Sequence, residues 1–220
     1  MGSHYVYKAK FVLLLLIWGN KLKRLSKEQI RELPVFQGVV LDKIEVVINK
    51  EEALKAVSEL IKHSVLGFDT ESKPTFKKGE VSNGPQLIQI SCKTKTFIFP
   101  AKFPAAIKEI DQILSNPNIK KVGFGLADDK RIIFRKFGIK VVNTVELSKK
   151  VKLFLGVKQN VGARVAVAML FNQRLTKSAQ KSNWSIFPLK DYQLRYAAND
   201  AYAALCVETK IENSDIETAL

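Results

Sequence analysis

Asp69 and Glu71 close the short run LGFDTES at residues 66–72. Val65, Leu66, Gly67 and Phe68 read as a strand entering a core. Alternate residues of a strand share one face, so the two carboxylates stand side by side. Two carboxylates a few ångströms apart repel each other and resist burial unless a cation lies between them. More acids follow downstream. Asp128 and Asp129 open a helix after the glycine-bearing strand KKVGFG, while Tyr196 and Asp200, four apart in RYAANDAYAAL, project from one helical face. Taken singly these are ordinary: acids at a helix start complement its dipole, and an Asp on an amphipathic helix is a common surface group. Taken together they form an oxygen-rich set of the kind a hard cation accepts.

The elements that must position these groups are legible from periodicity and caps. Ser26 and Gln29 form a capping box for a short helix that stops near Pro34. A strand at 44–48 precedes a helix capped by Asn49 and running to His63, with Ala53, Val57, Leu60 and Ile61 on its apolar stripe. The acidic strand follows. Residues 72–84 are a polar loop long enough to be functional. QLIQIS and TFIF then pair as a hairpin. A helix over about 103–115, the strand at 120–125, a helix over 127–137 stopped by Gly138 and a strand IKVVN alternate from there. From about 146 the chain is helical, ending in a helix over about 189–210. Hairpin-joined strands followed by alternating helix and strand predict an α/β fold, a mixed five-stranded sheet flanked by helices. Residues 1–39 read as an N-terminal extension with a short helix, 40–210 as the domain and 211–220 as a tail.

The chain has 220 residues, 46% of them hydrophobic, ample for one buried core. Its 36 Lys and Arg against 21 Asp and Glu leave a net charge of +15, which attracts polyanions such as nucleic acid or an anionic membrane. Cys92 and Cys206 lack metal-ligand spacing, so neither a zinc site nor a disulfide framework is expected, and a reducing, intracellular (cytoplasmic) compartment is the default. His4 and His63 are isolated, and His63 at a helix end reads as structural. The run FVLLLLIW at 11–18 is too short to span a bilayer and lacks a cleavage pattern, so stable membrane association is not expected.

D-x-E on a strand, V-G-x-G followed by D at a helix start, and Y-x3-D on the last helix occur in this order over about residues 40–208, joined by GPQLIQIS and SNWSIFPL. This set resembles the DEDD superfamily of 3′→5′ exonucleases, in its tyrosine branch, with ribonuclease D and Werner-type exonuclease domains as the nearest likeness. The resemblance implies a ribonuclease H-like fold and hydrolysis of DNA or RNA from 3′ ends with release of nucleoside 5′-monophosphates. It implies two divalent metal ions, Mg²⁺ or Mn²⁺, which generate the nucleophile and stabilise the leaving oxygen. The implied metal ligands are Asp69, Glu71, Asp129 and Asp200; VGFGLADD aligns Asp129 rather than Asp128, which stays an alternative. Tyr196 would stay neutral and orient the attacking water. Arg131 stands where some Werner-type relatives carry an aromatic, and Asn143 where relatives often have Asp. The further helical domains of ribonuclease D are not expected. Candidate backbone contacts are Lys77, Lys78, Arg131, Arg135, Lys177 and Lys181. The competing expectation is a catalytically silent nucleic-acid-binding module on the same fold, which a broken acidic quartet would mark; here the quartet is intact.

Overall fold

The computed structural model describes residues 24–73 and 84–219, so the apolar run at 11–18 and the loop residues Lys77 and Lys78 lie outside the described residues. Local signals convert into elements as expected at most positions. The capping box closes on both sides, Gln29 N–H donating to Ser26 and Ser26 N–H to the Gln29 side chain, and opens helix α1 (Lys27–Arg31). Asn49 caps α2 (Lys50–Leu60) by accepting from Glu52 N–H. Gly138, in the left-handed region at φ 73°, stops α5 (Leu126–Phe137). The region 103–115 forms two short helices, α3 (Pro104–Glu109) and α4 (Asp111–Leu114), rather than one. Beyond α5 come α6 (Leu147–Phe154), α7 (Ala163–Phe171) and α8 (Asp191–Ala219), the last continuing unbroken through residues set apart above as a tail.

The sheet contains six strands among the described residues, one more than expected: β1 (Ile44–Val46), β2 (Val65–Ser72), β3 (Pro85–Ser91), β4 (Thr96–Pro100), β5 (Lys120–Gly123) and β6 (Thr144–Glu146), in the order β1-β4-β3-β2-β5-β6. β2, β3 and β4 form an antiparallel meander, and β1, β5 and β6 add in parallel. The last strand is displaced from IKVVN. Ile139 and Val141 bury their side chains in the core, then Asn143 takes a left-handed backbone at φ 48° and turns the chain, so pairing begins only at Thr144.

Strand alternation divides the molecule into two layers. Leu66 and Phe68 face a core built with α2, α3, α4 and α5, where Ile88, Ile90, Phe97 and Phe99 are also buried. Val65 lies on the opposite face, which Val122 shares and α6, α7 and α8 cover. Helix α8 packs on β2 at close range because both sides are stripped of bulk. A Cβ on Gly67 would lie 2.0 Å from the Ala201 carbonyl oxygen, and Ala197, Ala198 and Ala201 are fully buried. A Cβ on Gly123 would lie 2.4 Å from the Phe68 carbonyl oxygen, so β5 is held equally close to β2. These contacts bring the acidic end of β2, the start of α5 and the middle of α8 together at one end of the central strands.

Candidate active site

Asp69 and Glu71 leave β2 on the α8 side, and Asp200 descends onto them. One carboxylate oxygen from each of the three lies within 4.8 Å of the others, with each side chain partly buried. The residues reach this arrangement from positions 131 apart in sequence because Gly67 lets α8 settle directly on the strand that carries Asp69.

Asp129 arrives by another route. Thr70 points away from Asp69 and Glu71, toward α5, and its hydroxyl donates to Asp129 Oδ1 at 2.5 Å. The start of α5 is fixed by Glu146, whose two carboxylate oxygens accept from Gly125 N–H at 3.1 Å and Leu126 N–H at 2.9 Å. Asp129 therefore borders the group of three rather than belonging to it, close enough for its charge to act on Asp69 and Glu71. Asp128 is turned outward, exposed, and pairs with Arg131 at 2.9 Å.

The electrostatics are those of an acid cluster short of cations. Asp69 is pushed well above the usual carboxylate range, first by burial and then by the charges of Asp200, Asp129 and Glu71. Burial, with Asp200 and Asp129, raises Glu71 to about 9. Burial raises Asp200 to about 7 despite a hydrogen bond from Tyr196 and the charge of Arg164. Burial raises Asp129 to about 6 against the bond from Thr70. Burial and the adjacent carboxylates hold the Tyr196 proton in place, far above the usual phenol value. Its ring rests 5.9 Å from the buried Trp184 of SNWSIFPL, centroid to centroid. A buried cluster of this kind is costly as anions and is relieved by a hard cation with oxygen ligands. The donor set fits a divalent ion: three convergent carboxylates, a fourth beside them, and no thiol or imidazole in the group.

The proposed backbone contacts are distributed unevenly. Arg131 is engaged by Asp128 on the outer side of α5, and Arg135 is exposed in the last turn of that helix. Lys177 and Lys181 lie exposed on the segment that leads to Trp184. Two groups near the site carried no assignment from sequence. Gln89 is fully buried, sits opposite Asp69 in the β2–β3 register, and neither amide atom has a hydrogen-bond partner among the described residues. A lone amide in the middle of the apolar strand QLIQIS was the available signal. Arg164, a lone cation in the apolar helix ARVAVAMLF, is the other. The described residues contain one further gathering of metal-capable ligands, Glu59, His63 and Cys92, near the start of β2 and away from the acids.

A family model described as 3′-5′ exonuclease matches residues 44–214. The bifunctional 3′-5′ exonuclease/ATP-dependent helicase WRN of Mus musculus is 33% identical over 155 residues, covering 68% of this chain and 11% of that protein. The chain spans less than half the length of the curated relatives it matches. Among solved structures, the EXO domain of Aedes aegypti Nibbler superposes with a TM-score of 0.72 at 23% identity, covering 84% of this chain and 94% of that one. RNase D of Trypanosoma brucei in complex with RNA U12 superposes with a TM-score of 0.69 at 20% identity, over 84% and 64% of the two chains. These neighbours share the ribonuclease H-like fold. No helix among the described residues is long and apolar enough to cross a membrane.

Proposed function

The chain belongs to the 3′-5′ exonuclease family, and from that premise we propose that it hydrolyses the terminal phosphodiester of a nucleic-acid 3′ end with Asp69, Glu71, Asp129 and Asp200 as its metal-binding groups. The observation that carries this reading is the convergence of Asp69, Glu71 and Asp200 within 4.8 Å, all with raised pKa values and all short of a cation. In the overall reaction a water oxygen bonds to the terminal phosphorus, the bond from phosphorus to the upstream 3′ oxygen breaks, and that oxygen takes a proton. A nucleoside 5′-monophosphate leaves.

Each side chain has a part its position supports. Asp69, Glu71 and Asp200 would hold one divalent ion jointly, and Asp69 and Asp129 a second, Mg²⁺ or Mn²⁺ in each case. When bound, such ions supply Lewis acidity at the phosphate and lower the pKa of water. Thr70 holds Asp129 beside the acidic end of β2. Tyr196 retains its proton at all working pH values, so its hydroxyl serves as a fixed hydrogen-bonding group for the attacking water and not as the base. Trp184 backs the ring and limits its rotation.

The test is digestion of 3′-labelled DNA and RNA oligonucleotides, single-stranded and recessed, with Mg²⁺ or Mn²⁺. Metal-dependent release of labelled 5′-monophosphate is the expected outcome, absent in Asp69→Ala and reduced about a hundredfold in kcat in Tyr196→Phe. Undiminished release by purified Asp69→Ala sinks the assignment.

A further inference from the structure

The family match begins at residue 44, and the described chain ahead of it is not loose packaging. The segment after α1 is stapled to the domain. Phe36 N–H donates to the Arg174 carbonyl at 2.9 Å, Arg174 N–H to the Pro34 carbonyl at 2.8 Å, and Arg174 Nε to the Leu33 carbonyl at 2.9 Å. Val39 N–H then donates to Asn199 Oδ1 at 2.9 Å. Asn199 is the neighbour of Asp200 on α8, so the segment is registered directly on the helix of the candidate active site. Gly38 is required for that contact, since a Cβ there would lie 1.9 Å from Asn199 Oδ1. Phe36 anchors the segment between Phe171 and Tyr202. The segment borders a pocket whose lining includes Val35, Phe36, Arg174, Leu175, Tyr196 and Asp200.

We propose that this N-terminal segment completes a phosphate-binding track, in which Lys27 and Arg31 of α1 join Arg164, Lys177 and Lys181 to hold the single strand of a nucleic acid upstream of its 3′ end. Lys27 and Arg31 are one helical turn apart and share a face of α1. They, Lys177 and Lys181 are exposed, and none of the five cations forms a salt bridge among the described residues. Glu28 and Glu32 stand on the adjoining flank of α1, with Glu28 taken by the Ser26 hydroxyl. The staple of the α1 segment onto Arg174, and the hydrogen bond from Arg164 Nε to the Leu175 carbonyl at 3.5 Å, bring α1, Arg164 and the segment of Lys177 together. The Lys177 ammonium is held below its usual pKa by Arg164 first, then by burial and by Lys27, Arg31 and Lys181. Leu175, which accepts from Arg164, lines the same pocket as Tyr196 and Asp200, so the cations and the carboxylates border one continuous surface. Like charges crowded in this way repel unless a polyanion runs among them. A strand with a regular series of phosphates, ending at Asp200, suits a track that is cationic along its length and acidic only at its end. Such contacts release counterions and read no bases.

The inference rests on the exonuclease reading, and a binding experiment in EDTA separates the two. The full chain is titrated against a 5′-labelled single-stranded dodecanucleotide, followed by fluorescence anisotropy over a salt series. The Lys27→Ala/Arg31→Ala variant is expected to bind about tenfold more weakly, with a salt slope shallower by about 1.4, near 0.7 for each lost contact. Lys27→Arg/Arg31→Lys keeps wild-type binding. Lys108→Ala/Lys140→Ala, which removes equal charge on the other side of the sheet, changes affinity less than about twofold. An unchanged slope in the Lys27/Arg31 variant, or an equal loss in the control pair, overturns the track. Wild-type protein that binds in EDTA yet never cleaves with metal overturns the exonuclease reading and leaves the track standing.

Discussion

Helix α8 carries two acids two turns apart, Glu208 fully buried and Asp200 partly buried, and the molecule treats them in opposite ways. Glu208 has almost no exposed side chain and is met by cations from two other elements, Lys150 of α6 at 2.8 Å and Lys120 of β5 at 3.3 Å, with Lys120 also held by Glu212 at 2.7 Å. Asp200 is met chiefly by more acid. At Glu208 the chain supplies the opposite charge and the site is complete when folded. At Asp200 the charge of Arg164 acts without forming a salt bridge among the described residues, and the surrounding carboxylates leave a cluster that an external cation would complete. The difference in their partners separates a structural ion pair from a functional group.

Neutralising one acid in each cluster should break this symmetry with opposite signs. Asp200→Asn is expected to lower metal-dependent nuclease activity by about a thousandfold or more, while the metal-free protein becomes slightly more stable as one repelling charge leaves. Glu208→Gln is expected to cost about 2 kcal/mol of stability, because two lysines lose their partner, although both are one-third exposed and recover part of it as hydration. Denaturant melts in EDTA read both. Equal destabilisation by the two variants would remove the distinction.

The pH dependence sharpens the same contrast. In an acid whose folded pKa is raised, the folded state binds the proton more tightly, so its stabilisation is full below the unfolded value near 4 and is lost as pH rises through the folded value. With Asp129 at about 6, Asp200 at about 7 and Glu71 at about 9, the metal-free protein should lose stability steadily from about pH 5 to pH 9. Excess Mg²⁺ or Mn²⁺ should flatten that slope by binding the ionised cluster of the folded state. Melting temperatures that rise over this range without metal would refute the cluster's electrostatics. The smallest effect is expected at Gln89. Replacing a buried amide that has no partner among the described residues with an apolar side chain of similar size, Gln89→Leu, should change stability by no more than about 1 kcal/mol. A loss of several kcal/mol would reveal a bonding partner for Gln89.

Much of this was legible before any fold was known. The capping box at Ser26, the Asn49 cap and the Gly138 stop were read correctly because each depends only on residues within a turn. The IKVVN strand was misplaced because apolar alternation does not reveal that Asn143 turns the chain before pairing starts. The split between α3 and α4 was similarly hidden in one continuous helical pattern. Asp69 and Glu71 are visible as a pair because strand geometry is local; helix geometry does not separate Asp128 from Asp129, which sit in one turn, and only the motif resemblance favours Asp129.

The sequence by itself determined the residue types, their order along the chain, the local elements that carry them and the surplus of positive charge. Tertiary structure decided which acids meet. Asp200 reaches Asp69 only because Gly67 and Ala201 permit main chain to touch main chain. Asp129 is received by Thr70 from the opposite face, while Asp128 turns away to Arg131. Long-range approach is set by steric fit between elements distant in sequence, and no spacing along one chain encodes that distance.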